Sequence, residues 1–557
     1  QDNAVLCKQN DKVKLNRLDK NYFTDNISKN DQYRGYLLGL LGYDIANPKT
    51  ISDEEIQDLW QYKQPELRQM GAILHSDPVL LTQKGKVIRS GTQIVSEDRE
   101  DYVLFGTTQG VLHVLDADTG EEKFAFVPDE MVKNNHPAFI SPNLSEGAGK
   151  FLYGIDGAWT VYSEYIPANQ SDQTLTVGKN QASNLSGKQW VYGGLRMGGS
   201  SYYALDLSDI NQPSVKFHID PQTHTVYTPT GSKVYSALKY MGQSWSKPVI
   251  TRVNWQGEDK LVMIVGGGYD YTGQNNGYED TQYAQNADNR IGAGVYMFDA
   301  ETGDLLWWAS SNVNYNQPSA GDDSIGSHVD DLGYSVVSTI KAVDRDGDSL
   351  TDHLYFGDLG GQFWRIDLNN FPKTVPDPDD QSKKVNEPFA AHIVRLLNLR
   401  PTAQPTKTPR FYTQPTFSIH RIPGSGRVLA AISIGTGNAS SPLHDPKGEE
   451  NWVPNAVYTI FDKDVTRSNL YQLPTEQLRK DLELEELSAD RRKDLLPAFD
   501  ENINGWKFTF YLNPFSLSND SKNAANFYSS PMGAKVITDP VLMDNQLFFS
   551  VFDSERS

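Results

Sequence analysis

The chain has one cysteine, Cys7, in 557 residues. No internal disulfide can staple it, and no cysteine-rich zinc site can form. Cys7 is either a free thiol or the partner of a cysteine outside this sequence. No run of 18 or more apolar residues occurs, which excludes a bilayer-spanning helix. Basic residues are in the minority, 51 Lys and Arg against 71 Asp and Glu, for a formal charge of −20. A surface this acidic repels phosphate backbones and anionic lipid, so nucleic acid is an unfavourable partner. It suits divalent cations and basic or neutral partners. The ten histidines are scattered, and His75, His328 and His353 each lack a second ligand at i+4, which argues against zinc. "GTGNASS" (435–441) is not a G-x-S-x-G nucleophile elbow, and "VGGGYD" (265–270) is not followed by the G-K-[ST] of a phosphate loop. The polar start "QDNAVLCKQND" has no signal-peptide pattern, and with the ending "FFSVFDSERS" it reads as a piece of a longer protein.

What is plentiful is β-forming and turn-forming. Hydrophobic residues make up 38% and aromatics 11%, with 44 Gly and 29 Pro. That is enough apolar surface for a sizeable core and enough turn residues for many short strands, an all-β composition. Residues 1–70 differ: "YRGYLLGLLGY" and "SDEEIQDLWQY" read as helices, the second with a Ser52/Glu55 capping box, so a mostly helical N-terminal segment is expected there. From about residue 71 to 557 a strand–turn–strand unit recurs, at 103–126, 192–209, 292–310, 354–368 and 455–465. In it a strand enters a Gly-rich hairpin, an alternating strand follows, and an Asp-x-x-x-Gly turn such as Asp299-Ala-Glu-Thr-Gly303 ends it. One such unit cannot bury its own faces, whereas sheets packed around an axis can, and the result is a β-propeller. Long polar loops are expected at 271–290, 372–388 and 401–409, and a charged helical insertion at 474–496, striped by Leu478, Leu482 and Leu495.

The chemistry concentrates in "DRDGDSLTD", where Asp344, Asp346, Asp348 and Asp352 occupy positions 1, 3, 5 and 9 of an EF-hand-type calcium loop. Position 7, Leu350, would offer its backbone carbonyl, and Asp352 would close the shell directly or through water. Oxygen ligands on a flexible loop suit Ca²⁺ better than Mg²⁺. Position 12 is Tyr355 rather than a bidentate Glu, and position 6 is Ser349 rather than Gly. The flanks, 334–343 and 353–357, read as strands, so this is an inter-strand calcium loop and not a helix pair that opens on binding. A merely solvated acidic turn fits poorly, because four aspartates share nine residues with Arg345 as the one basic side chain.

"VDRDGDSLTDHLYFGDLGGQFWRIDL" (343–368) closely resembles the signature of the PilC/PilY family of type IV pilus tip-associated proteins. The agreement takes in the four aspartates together with Tyr355, Gly357, Asp358, Gly361, Trp364, Arg365 and Asp367. "GAILHSDPVLL" (71–81), "SWSKPVI" (244–250), "VYMFDAETGDLLW" (295–307) and "KVITDPVLMDNQLFFSVF" (535–552) follow in the family's order. The resemblance implies a modified seven-bladed β-propeller forming the C-terminal domain of a larger secreted, non-enzymatic protein of Gram-negative bacteria. It implies a place at the pilus tip or outer membrane and a role in virulence. It implies a calcium site at Asp344–Asp352, contacts with pilins or minor pilins and with a host-cell receptor, and control of pilus extension and retraction, twitching motility and attachment. An Arg-Gly-Asp tripeptide discussed for some members is absent here, since Arg345-Asp346-Gly347 has the wrong order. The D-A-x-T-G turns also resemble repeats of pyrroloquinoline quinone dehydrogenases. That alternative needs a cofactor cavity, a catalytic Asp and usually a vicinal cysteine pair, which a chain with only Cys7 cannot supply. An inert structural scaffold is the third reading.

Overall fold

The computed structural model describes residues 3–63, 65–66, 68–141, 151–169, 173–180, 182–271, 290–314, 321–377, 379–400, 408–422, 426–443, 453–487, 503–510, 533–544 and 546–553. Strand accounts for 42% and helix for 11%. The chain divides into two compact units. One is Gln1–Ile250 with Phe298–Leu306 and Tyr315–Ser324, and the other is Thr251–Met297 with Trp307–Asn314 and Ile325–Ser557.

In the first unit one sheet runs in the spatial order Val13–Arg17, Ala4–Gln9, Glu122–Pro128, Leu112–Asp116, Gln93–Gly106, Val79–Ser90, with two short strands, Thr174–Thr176 and Ile166–Pro167, beyond. A second sheet orders Ser232–Val234, Thr225–Tyr227, Ser214–Asp220, Tyr202–Asp206, Lys188–Gly194 and Trp159–Glu164. Phe126 from the first meets Trp159 and Tyr203 from the second edge-on, at centroid distances of 6.4 and 5.6 Å. These aromatics lie in one continuous apolar core with Leu104, Leu112 and Val191.

The expected helices form at Arg34–Leu40 and Asp53–Tyr62. Ser52 caps the second reciprocally: its Oγ accepts from Glu55 N at 3.2 Å, and its own N–H donates to Glu55 Oε2 at 2.8 Å. The N-terminal segment is nevertheless not mostly helical, because it opens with the strands Ala4–Gln9 and Val13–Arg17. Ala4–Gln9 pairs in parallel with Glu122–Pro128, in the register Ala4↔Ala125 to Cys7↔Pro128. The run AVLC is too short to declare its state alone; the open edge of Glu122–Pro128 decides it. Cys7 is buried there as a free thiol, and burial pushes its pKa up.

The Asp-x-x-x-Gly turns fold as their chemistry requires. Asp116 Oδ1 accepts from Asp118 N and Thr119 N at 3.0 and 2.9 Å, and Asp299 Oδ1 from Glu301 N and Thr302 N at 2.8 and 3.2 Å. Gly120 and Gly303 then take the left-handed conformation, φ 72° and 80°. A Cβ on Gly303 would also lie 2.6 Å from the Phe217 ring.

In the second unit one sheet orders Lys341–Val343, His353–Gly357, Gln362–Leu368 and Ala390–Asn398, all antiparallel. Another orders Thr416–Arg421, Val428–Gly435, Ala456–Asp462, Gly505–Thr509 and the two-residue strand Glu485–Glu486. Among the described residues no sheet closes on itself. The 372–388 loop contains a small hairpin, Thr374–Pro376 with Lys384–Asn386. The loop 271–290 falls almost entirely outside the described residues, as does 401–407 of the third loop.

The helical insertion expected at 474–496 is not a helix over its described part, 474–487. It makes one 3-10 turn, Thr475–Gln477, and continues irregularly, with Asp481 left-handed at φ 47°, to the two-residue strand Glu485–Glu486. Asp481 N and Leu482 N donate to Arg395 O and Leu396 O at 2.9 and 2.8 Å, so the segment straps onto a neighbouring strand. Leu478 is buried in that unit's core, and Leu482 and Leu484 pack against it. The leucines that suggested a helical stripe are core anchors of this strap; Leu495 lies outside the described residues.

Candidate metal centre

Lys341–Val343 and His353–Gly357 pair antiparallel, Val343 opposite His353, so Asp344–Asp352 is the connection between paired strands. Asp352 N closes it on Val343 O at 2.8 Å. The backbone reverses at Gly347 and Ser349, both left-handed at φ 81° and 75°. Glycine takes that conformation freely, whereas serine at position 6 is strained by roughly 1 kcal/mol.

That winding aims the loop's own amides at its carboxylates. Asp344 Oδ1 accepts from Gly347 N at 2.7 Å and its Oδ2 from Ser349 N at 2.9 Å. Asp346 Oδ1 accepts from Asp348 N at 3.3 Å, and Asp348 Oδ1 from Leu350 N at 2.8 Å. The result brings one carboxylate oxygen from each of Asp344, Asp346 and Asp348 within 4.8 Å of one another, all three residues being exposed. Among the described residues none forms an ion pair with these three. Arg345, the basic residue within the loop, points elsewhere: its Nη1 donates to Val465 O at 3.2 Å and its guanidinium lies 5.5 Å from the Tyr471 ring centroid. Three converging carboxylates with no protein cation fit a hard divalent ion that takes oxygen ligands.

Asp352 does not join the three. It is buried, and its Oδ2 accepts the Arg345 N–H at 2.8 Å. Burial pushes its carboxyl upward, opposed by that N–H. Its carbonyl accepts from Leu368 N at 2.7 Å and from the Tyr471 hydroxyl at 3.3 Å. Asp352 therefore ties the loop's C-terminal end to the sheet.

Directly behind the loop lies a charged network that the sequence reading did not anticipate. Arg365 is fully buried. Its Nη1 reaches both oxygens of Asp462 at 2.7 Å, while Nε and Nη2 reach Asp367 at 2.8 and 3.2 Å. His353 and His392 bond Asp367 through Nδ1 at 2.7 and 2.9 Å, and the Tyr355 hydroxyl donates to Asp462 at 3.0 Å. Burial alone would raise the Asp367 pKa, but Arg365 and the two histidines outweigh it and hold the carboxyl well below the usual range. Asp358 shows the reverse balance: burial dominates and pushes it up to about 6 against bonds from Gln362, Trp364 and Gly360. The i, i+2 spacing of Arg365 and Asp367 hinted at a shared strand face, but nothing local pointed to Asp462 or His392.

Tyr355, Asp358, Trp364, Arg365 and Asp367 of the 343–368 signature are thus the buried frame of the loop. No protein-family model matches the chain. A type IV pilus biogenesis factor PilY1 homolog of Xylella fastidiosa is 24% identical over 319 residues, 54% of this chain and 17% of that protein. The type IV pilus biogenesis factor PilY1 of Pseudomonas aeruginosa (strain UCBPP-PA14) is 22% identical over 331 residues, 58% of this chain and 22% of that protein. The crystal structure of the Pseudomonas aeruginosa PilY1 C-terminal domain aligns over 82% of this chain and 77% of its own at 17% identity, with a TM-score of 0.46. The matched stretch spans about a fifth of the length of these curated relatives. The PilC/PilY resemblance read from residues 343–368 is upheld by sequence comparison: the curated proteins this chain is similar to are PilY1 type IV pilus biogenesis factors.

Proposed function

We propose that this chain is a calcium-binding β-propeller domain, of the modified seven-bladed kind, belonging to a type IV pilus biogenesis factor and adhesin. The observation that carries the reading is the group of Asp344, Asp346 and Asp348, oriented by loop amides inside the stretch that resembles the PilC/PilY signature. Their side chains would hold Ca²⁺, with the Leu350 carbonyl and with Asp352 through water. Bound there, the ion supplies charge neutralisation. The chain's own part is to hold three anionic side chains converged, through four backbone N–H bonds, and to tie the loop to the sheet through Asp352 and Tyr471. Occupancy would thereby brace a surface that pilins, minor pilins or a host receptor contact at the pilus tip. Through that surface it would bear on extension, retraction, twitching and attachment.

Calorimetric titration of calcium tests the site. The wild type should bind one ion at the loop, and Asp346→Ala, which removes a ligand but only one weak loop bond, should lose it. Equal binding by the two proteins ends the assignment. A strain carrying Asp344→Ala and Asp352→Ala tests the role: altered piliation or twitching supports it, while normal piliation and motility would leave an inert scaffold.

A further inference from the structure

Residues 465–473 join the aspartate loop to the charged network behind it. Near the start of this segment, Val465 O accepts from Arg345 Nη1 at 3.2 Å. Near its end, the Tyr471 hydroxyl donates to Asp352 O at 3.3 Å, and Arg345 lies over the Tyr471 ring. The same ring stacks against two imidazoles, His353 and His392, at centroid distances of 6.4 and 6.3 Å. Leu473 O closes the segment on His392 Nε2 at 2.8 Å.

His392 is buried and faces an acceptor with each ring nitrogen: the Asp367 carboxylate at Nδ1, 2.9 Å, and the Leu473 carbonyl at Nε2. Only the imidazolium donates from both; a neutral ring has one N–H. Asp367 keeps that one, because a bond to an ionised acceptor is the stronger. The bond given up on proton loss is therefore the one to Leu473. The charged and titratable groups around the ring are Asp367 and Arg365 on Gln362–Leu368, His353 on the next strand, and Tyr471. Arg365 is already paired with Asp367 and Asp462. His353 also bonds Asp367 through Nδ1, but its Nε2 is buried without a partner, so one N–H serves it. Burial and Arg365 oppose the charged form of His392, yet the Asp367 and Leu473 bonds outweigh them and raise its pKa.

We infer that His392 is a proton-operated latch on residues 465–473, and that its closing tightens calcium binding at the Asp344–Asp352 loop. The inference rests on the calcium reading of that loop proposed above. When the latch is closed, the imidazolium pins Leu473. That holds the Tyr471 hydroxyl on the Asp352 carbonyl, and with it the loop's C-terminal end. Proton loss frees Leu473 and loosens this tie. The raised pKa fixes the sign. The latch is complete below about pH 6.5, the ordinary histidine value, and opens as pH rises through the raised one. Calcium should therefore bind more tightly at lower pH across this window. Direct proton competition for carboxylate ligands has the opposite sign and belongs near about pH 4, so it does not imitate the effect.

Calorimetric titration of calcium into the purified chain, at about pH 6 and about pH 9, tests this. Wild-type affinity should fall by about fivefold from the lower to the higher pH, the small end of a typical coupling. His392→Gln, which does not titrate, should show no such fall. Tyr471→Phe keeps the ring and removes the hydroxyl tie, and it should lose most of the fall. A thermal melt shows that each variant is folded, and Tyr471→Phe carries the test should His392→Gln not fold. Hydrogen exchange without calcium, corrected for the intrinsic effect of pH, follows the latch itself. Amides of 473–482 should lose protection at the higher pH in the wild type and in Tyr471→Phe, and not in His392→Gln. Wild-type calcium affinity that is equal at the two pH values or greater at the higher one overturns the inference and leaves the metal site standing. So does a fall equally steep in either variant, or unchanged protection of 473–482 in the wild type. No calcium uptake at either pH ends the metal site, and the coupling with it.

Discussion

Arg365 sits fully buried between two carboxylates, Asp367 and Asp462, and reaches each with two bonds. Burying such charges is costly, and only complete pairing makes it tolerable. Arg365→Met should therefore destabilise the chain by about 3–5 kcal/mol, because two aspartates are left buried without their cation. Urea denaturation measures it, and a loss below about 1 kcal/mol would mean that the network relaxes to solvent. A second buried group behaves differently. Glu130 has an unpartnered Oε1, and burial pushes its carboxyl up to about 7 despite bonds from Ser201 and Ser200. The Ser201 hydroxyl also meets His218 Nε2 at 2.9 Å, and burial pushes that imidazole down to about 4. The signs oppose. Between pH 4.5 and 7 the folded state keeps a proton on Glu130 that the unfolded chain gives up, so this group makes stability fall as pH rises. Between pH 4 and 6.5 the unfolded chain protonates His218 and the folded state does not, so that group makes stability rise. In the wild type the two largely cancel. Glu130→Gln removes the falling contribution, so the stability of the variant relative to the wild type should rise by about 3 kcal/mol from pH 4.5 to 7. A difference that does not change with pH would show that Glu130 does not keep its proton in the folded state.

At the scale of elements, the aspartate loop and the 474–487 strap show two ways in which a polar stretch finds its shape. The loop is wound from within, by four carboxylate-to-amide bonds and two left-handed residues, and its C-terminal end is then tied to the rest of the fold through Asp352. The strap is shaped from outside. Its charges lie along the surface while Leu478 enters the core of the second unit and Asp481 and Leu482 bond a neighbouring strand. Leu478→Ala should accordingly cost about 2–4 kcal/mol, the penalty of a core truncation, where a leucine on a decorative surface helix would cost well under 1 kcal/mol. Chemical denaturation separates the two values.

For the whole molecule, 71 acidic against 51 basic residues produce self-repulsion that compactness aggravates. Raising sodium chloride from about 10 to about 500 mM, with calcium chelated, shortens the screening length from about 30 to under about 5 Å. The midpoint of thermal unfolding should rise, because surface repulsion is screened while the buried Arg365 pairs are not. A falling midpoint would show that attractive surface pairs outweigh the repulsion.

Sequence alone was enough for whatever depends on near neighbours. Aspartates at every second position bring three carboxylates together on one loop, Asp-x-x-x-Gly defines a turn, and Ser52 with Glu55 defines a helix start, because each partner lies within a few residues along the chain. Tertiary structure decided the rest. Asp352 turns inward to Arg345 N instead of joining the three exposed carboxylates, Ala4–Gln9 becomes a strand on the edge of Glu122–Pro128, and Arg365 finds Asp462 across 97 residues. Those outcomes follow from which surfaces the folded chain brings together and deprives of water, a property that no local spacing encodes.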